Sequence, residues 1–166
     1  LNLMSSGMSQ LTMPTAARWL HELGPGVTFR RLLMISAAFL VMALAYFGVV
    51  WLLRHWIFGS LMHKTYAQAD LLLLLWAAIF GVMVVRDQLI YLPVLAERFR
   101  ELAGLALGCA VMALVISYAA MRTHGAPGAL IGMLTGEIAN LLGIVVFALR
   151  EIRLGRAAPS LVANAA

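Results

Sequence analysis

Charge is what this chain has least of. Of its 166 residues only 11% are Asp, Glu, Lys or Arg, whereas 63% are hydrophobic, and the mean hydropathy is +0.95. A soluble globular domain carries about 25% charged residues, so composition excludes that class. Cysteine is nearly missing: the single Cys109 excludes a disulfide framework and any metal site built on thiolates, and it reads as a small packing residue. The four histidines, His21, His55, His63 and His124, show no i, i+4 metal spacing. No serine stands in a Gly-x-Ser-x-Gly setting and no Gly-rich loop precedes Lys-Ser/Thr. The sequence therefore predicts no catalytic residue, no metal and no cofactor. Near the N-terminus nothing has the basic, apolar and small-residue order of a signal peptide.

What the chain does have is long apolar runs. A bilayer-spanning helix needs about 20 mostly apolar residues. Four such stretches occur, at Leu33–Leu53, Ala67–Leu92, Leu102–Met121 and Ala126–Leu149. Short connections make neighbours antiparallel. The expected fold is all-α integral membrane, with four antiparallel transmembrane helices forming part of a larger helical bundle. Residues 1–13 are moderately apolar and stop at Pro14, so they are expected to end a preceding membrane helix. Together with the first residue, Leu1, this points to a chain cut from something longer. Residues 14–31 read as a cytoplasmic connector: Thr15–Leu23 forms an interfacial helix with Trp19 at headgroup depth, and Gly24-Pro25-Gly26 breaks it. Residues 32–153 hold the spans and 154–166 a cytoplasmic tail.

The net charge of +5 follows topology. Nine of the twelve Lys and Arg residues fall on one side of the four spans and three on the other. The positive-inside rule then places both ends in the cytoplasm, and no nucleic-acid partner is implied. Trp51, Arg54, His55, Trp56 and Phe58 form an outer aromatic belt with a snorkelling cation. Gly59–Lys64 is a short outer loop, Tyr66 marks re-entry, and His63 and Asp70 lie near that surface, where a solvated loop is the simpler reading.

The fourth span carries Gly128, Gly132 and Gly136 one turn apart, continued by Asn140. Such a strip of nearly bare backbone lets a second helix approach closely in lipid, where association depends on packing. Gly104 and Gly108 form a second small-x-x-x-small pair on the third span. Glu137 sits beside the ladder. An acid within a span is usually turned inward and paired or hydrated, so Glu137 is a candidate proton-responsive or substrate-contacting group. The plainer alternative is an interhelical hydrogen bond near Asn140. Arg86 and Asp87 interrupt the second span. Either the span ends at Val85 and both are cytoplasmic, or one faces a water-filled interior. Being adjacent, their side chains diverge by about 100° on a helix and need not pair. The candidate substrate or coupling residues are thus Arg86, Asp87, Glu137 and Asn140.

Several stretches in order resemble one family. Gln10-Leu11-Thr12-Met13-Pro14-Thr15-Ala16-Ala17-Arg18 is similar to a connector closing a helix pair in polysaccharide flippases. Ile57-Phe58-Gly59 followed by Tyr66-Ala67-Gln68-Ala69 resembles their outer loop. Leu95-Ala96-Glu97-Arg98-Phe99-Arg100-Glu101-Leu102 resembles their inner loop, and Gly125-Ala126-Pro127-Gly128-Ala129 the start of a late helix. Over about residues 8–153 the order resembles the C-terminal four helices of polysaccharide or O-antigen (Wzx-type) flippases of the MATE-like flippase superfamily. The resemblance implies flipping of lipid-linked oligosaccharide across the bacterial inner membrane by alternating access, in lipid and together with N-terminal helices that this chain lacks. It also implies that cationic cavity residues meet an anionic pyrophosphate-sugar head; here only Arg86 qualifies. The alternative is a free-standing small four-helix membrane protein, GtrA-like or an accessory subunit, handling lipid-linked sugars. A membrane transferase would need loops richer in carboxylates.

Overall fold

The computed structural model describes the backbone of residues 2–56 and 68–163, and side chains within residues 12–54, at 56, and over 68–154. Residues 57–67, which include the expected outer loop Gly59–Lys64, His63 and the Phe58-Gly59 and Tyr66 positions of the family resemblance, lie outside the described residues. So do the side chains of residues 2–11 and 155–163, and residues 164–166 altogether. The described chain is helical throughout: α1 Asn2–Trp56, α2 Ala69–Leu89, α3 Tyr91–Leu95, α4 Phe99–His124 and α5 Ala126–Ala163. Among the described residues there is no strand. Four segments are long and apolar enough to cross a bilayer: Thr12–Arg54, Ala69–Leu95, Phe99–His124 and Ala126–Leu154. They mark a multi-pass membrane protein.

Local chemistry sets the boundaries. Helix α1 is two helices joined at Gly24, whose φ 78 and ψ 171 lie in a region open essentially to glycine alone. Pro25 then occupies the first position of the second helix, where its missing N–H costs nothing, and Thr28 Oγ1 donates to the Gly24 carbonyl at 2.9 Å. Pro14, expected to end a helix, does not: the backbone stays helical through it. Pro93 removes the donor that would bond the Leu89 carbonyl, and α2 stops there. The turn of α3 still prolongs it, because Ile90 N donates to Arg86 O at 3.0 Å and Val94 N to Ile90 O at 3.1 Å. Gly125 (φ 64) turns α4 into α5.

The helices form a layer in the order α1, α2, α5, α4. Helix α4 touches α5 and the short α3 and, among the described residues, neither α1 nor α2. Its seam with α5 is the glycine ladder. A Cβ added at Gly128 would fall on the backbone of Ala120, one at Gly132 on Ser117, and one at Gly136 would come within 2.6 Å of Ala113 Cβ. The partners step down α4 as the glycines step up α5. Ser117 Oγ closes the seam by donating to Ala129 O at 3.1 Å. Cys109 belongs to the same stripe, its carbonyl facing Gly136. Gly104 and Gly108, by contrast, face open space.

The small core lies at one end of the layer. Ala16, Leu32, Leu89, Leu92, Ile144 and Ala148 are buried there, with Leu20 and Phe29 packed against them. The segment before Gly24 is thus helical as expected, yet its apolar stripe packs on α3 and α5, so it does not rest on lipid alone. Elsewhere large apolar side chains point outward: Leu52 is 79% and Leu114 71% exposed, as suits a lipid-facing surface, where the hydrophobic effect exerts no inward pull.

The ladder yields a contrast. Gly132→Val should force α4 and α5 apart and destabilise the fold by about 1–3 kcal/mol, the usual cost of overpacking. Gly104→Ala should leave stability unchanged or slightly raised. Thermal unfolding of both variants in detergent checks the pair.

Candidate functional site

Helix α5 has two working faces. Gly136 turns toward α4, and the next residue, Glu137, is rotated by about 100° and meets α2. Glu137 lies about 17 Å along α5 at 1.5 Å per residue, within a hydrocarbon core about 30 Å thick. Its partner is Arg86 of α2. The two side chains form an ion pair through Arg86 Nη1 and Glu137 Oε2, and they are 18% and 16% exposed. Arg86 also binds Asp87 Oδ1, with Nη2 at 2.8 Å and Nε at 3.1 Å. The sequence did not require these neighbours to pair, yet they do: the guanidinium reaches the adjacent carboxylate on its own helix. Because α2 runs on to Leu89, Arg86 and Asp87 lie inside the helix, within the apolar stretch Ala69–Leu95 that is long enough to cross a bilayer.

One guanidinium between two carboxylates leaves one surplus negative charge when all three are ionised. An unpaired charge at the bilayer centre costs about 2.5–3.5 kcal/mol on insertion scales. Asp87, at 38% exposed, is the member best placed to be hydrated. Among the described residues Asn140 takes no part in this cluster, nor do His21 and His124. Among the described residues no group of three His, Cys, Asp or Glu could hold a metal.

Two further ion-pair systems escape a reading of the sequence. Arg54, at the end of α1, pairs with Asp70 at 3.2 Å and lies over Trp51 at 4.3 Å; Asp70 thus has a partner other than His63. At the opposite end Arg98 bridges Glu101 at 2.8 Å and Glu151 at 2.9 Å, tying the start of α4 to α5 at Glu151. Its hydrogen bonds to Glu101 and then Glu151 raise the Arg98 pKa further above its already high ordinary value, so this clasp keeps its cation at any pH the fold survives. Gln88, 7% exposed, is buried beside the cluster, and among the described residues its Oε1 has no hydrogen-bond partner. The signal for the Arg86–Glu137 pair was present: two opposite charges in different spans invite pairing, but the sequence does not say that α2 and α5 are neighbours.

Comparison with protein-family models, with curated proteins and with solved structures finds no match.

Charge counting orders two variants. Glu137→Gln removes the surplus charge and should cost little, about 1 kcal/mol for the altered hydrogen bond. Arg86→Gln leaves two carboxylates facing each other inside the span and should cost about 3–5 kcal/mol. Unfolding both in micelles should show Arg86→Gln much the less stable.

Proposed function

We propose that this chain is the C-terminal part of a non-enzymatic transporter that flips or exports lipid-linked oligosaccharide across the bacterial inner membrane. In this reading its four spans alternate in direction, both ends are cytoplasmic, and N-terminal helices absent from the chain complete a larger bundle. The observation that carries the reading is the ion pair joining α2 and α5 inside the span. Intramembrane charges are costly and mark transport paths by default. The ordered resemblance to flippases supplies the substrate class, and the one-sided cation distribution supplies the orientation.

The geometry gives Arg86 a defined task. Held by Asp87 and Glu137, it is not a free cation. In this reading an anionic pyrophosphate head competes with Glu137 for the guanidinium, and that exchange loosens α5 from α2. Such a ligand shifts a conformational equilibrium by its differential affinity for the two states. The second reading, a free-standing GtrA-like or accessory four-helix protein, requires α4 to be covered by α1 or by another copy. The described residues make no contact between α1 and α4, so in that second reading α4 is left to another copy.

Arg86→Lys keeps the charge but loses the planar fork that grips a carboxylate or phosphate at two points. In the full-length transporter it should insert normally and flip lipid-linked oligosaccharide in proteoliposomes about tenfold more slowly, equivalent to about 1.4 kcal/mol. An unchanged rate would remove Arg86 from the mechanism.

A further inference from the structure

The arginines at the two ends of the layer are treated differently. At the end holding Arg54 and Arg122, both described arginines are occupied: Arg54 by Asp70 and Trp51, and Arg122 by the ring and hydroxyl of Tyr118. At the other end seven described arginines face four glutamates. Arg98 takes Glu101 and Glu151, and Arg18 stands 3.9 Å from Glu22. Arg31 lies over Trp19 at 4.9 Å. That leaves Arg30, Arg100, Arg150 and Arg153 exposed, with no ion pair among the described residues. Only Glu97 remains to balance them.

These four belong to one end of the fold. The Arg98 bridge joins the first turn of α4, which holds Arg100, to the stretch of α5 that holds Arg150 and Arg153. A Cβ at Gly26, one turn before Arg30, would lie 3.9 Å from Ile152. Each of the four flanks the end of an apolar run, the position at which a spanning helix meets the headgroups. A lone arginine there is ordinary. Four unpaired arginines from three helices, at an end where a clasp occupies Glu101 and Glu151, form a surface with a surplus of cation and, among the described residues, only Glu97 to balance it.

We infer that this end, through Arg30, Arg100, Arg150 and Arg153, is a docking surface for anionic phospholipid headgroups. The occupant is fixed by charge complementarity and by depth: phosphate esters are the anions present at the end of a span. Guanidinium groups bind phosphate oxygens in two-point contacts, and basic residues next to a membrane gain from anionic lipid until salt screens them. The surface is independent of the transport reading and holds whether or not the chain moves a substrate.

Trp19, under Arg31 at this same end, is the reporter. The full chain, carrying Trp51→Phe, Trp56→Phe and Trp76→Phe, is placed in phosphatidylcholine nanodiscs. These contain a minor fraction of either phosphatidylglycerol or phosphatidylcholine brominated high on the acyl chain. Quenching of Trp19 by brominated phosphatidylglycerol should exceed that by brominated phosphatidylcholine, corresponding to a local enrichment of about fivefold or more, and should fall as salt rises. Replacing the four arginines with glutamine should bring it to the phosphatidylcholine level. Equal quenching by the two lipids in the arginine-containing chain, or an excess that survives high salt or the fourfold replacement, overturns the assignment.

Discussion

An arginine and a glutamate cannot stay apart in hydrocarbon, and the pairing of Arg86 with Glu137 is the contact on which the arrangement of this chain turns. Two helix pairs, α1 with α2 and α4 with α5, are each held by local packing. Between them lies the α2–α5 seam, and at the level of the ion pair that seam holds its one charged contact among the described residues. Further along, the seam is apolar: Leu89, Leu92, Ile144 and Ala148 close the core. The polar contact sets which faces meet, and the apolar one fills the space beneath it.

Glycine makes that pairing possible. Because Gly128, Gly132 and Gly136 let α5 lie against the backbone of Ala120 and Ser117, the rotation of α5 is fixed with little freedom. Glu137 then points at α2, with α4 already on the other face. A larger residue in the ladder would move the helix axis and with it the carboxylate. The same logic explains the surplus charge. Asp87 shares the guanidinium from its own helix, so Arg86 is bound on two sides. In the proposed transport reading, an anion that takes the N–H groups facing Glu137 displaces that carboxylate, which would link ligand binding to the opening of a seam.

Much of this was legible in the residues. Hydropathy marked four apolar stretches, and each lies in a helix long enough to cross a bilayer; the ladder announced a close helix approach, which α4 provides. Gly24 and Gly125 end helices where the sequence puts its breaks. Three things were not legible, each for a physical reason. Pro14 stays helical, because a proline removes one bond and kinks a helix without having to end it. The connector around Ala16 packs on α3 and α5, since an amphipathic stripe does not say whether lipid or protein covers it. Arg86, Asp87 and Glu137 were each singled out, but their union depends on α2 and α5 being neighbours, which is a property of the layer order and not of either helix. Asn140, on the ladder's own line, stays outside the cluster for the same reason.

The most direct test is a distance between Arg86 and Glu137 in a bilayer. Solid-state NMR of the chain in lipid, with ¹⁵N in arginine side chains and ¹³C at the glutamate carboxyl, reads dipolar coupling across the pair, and an Arg86→Lys sample assigns the signal. The account predicts coupling at ion-pair range, within about 4 Å, that vanishes in the Arg86→Lys sample. A spectrum with no Arg86–Glu137 coupling in folded protein would contradict it, and α5 would then have to meet α2 through a different face.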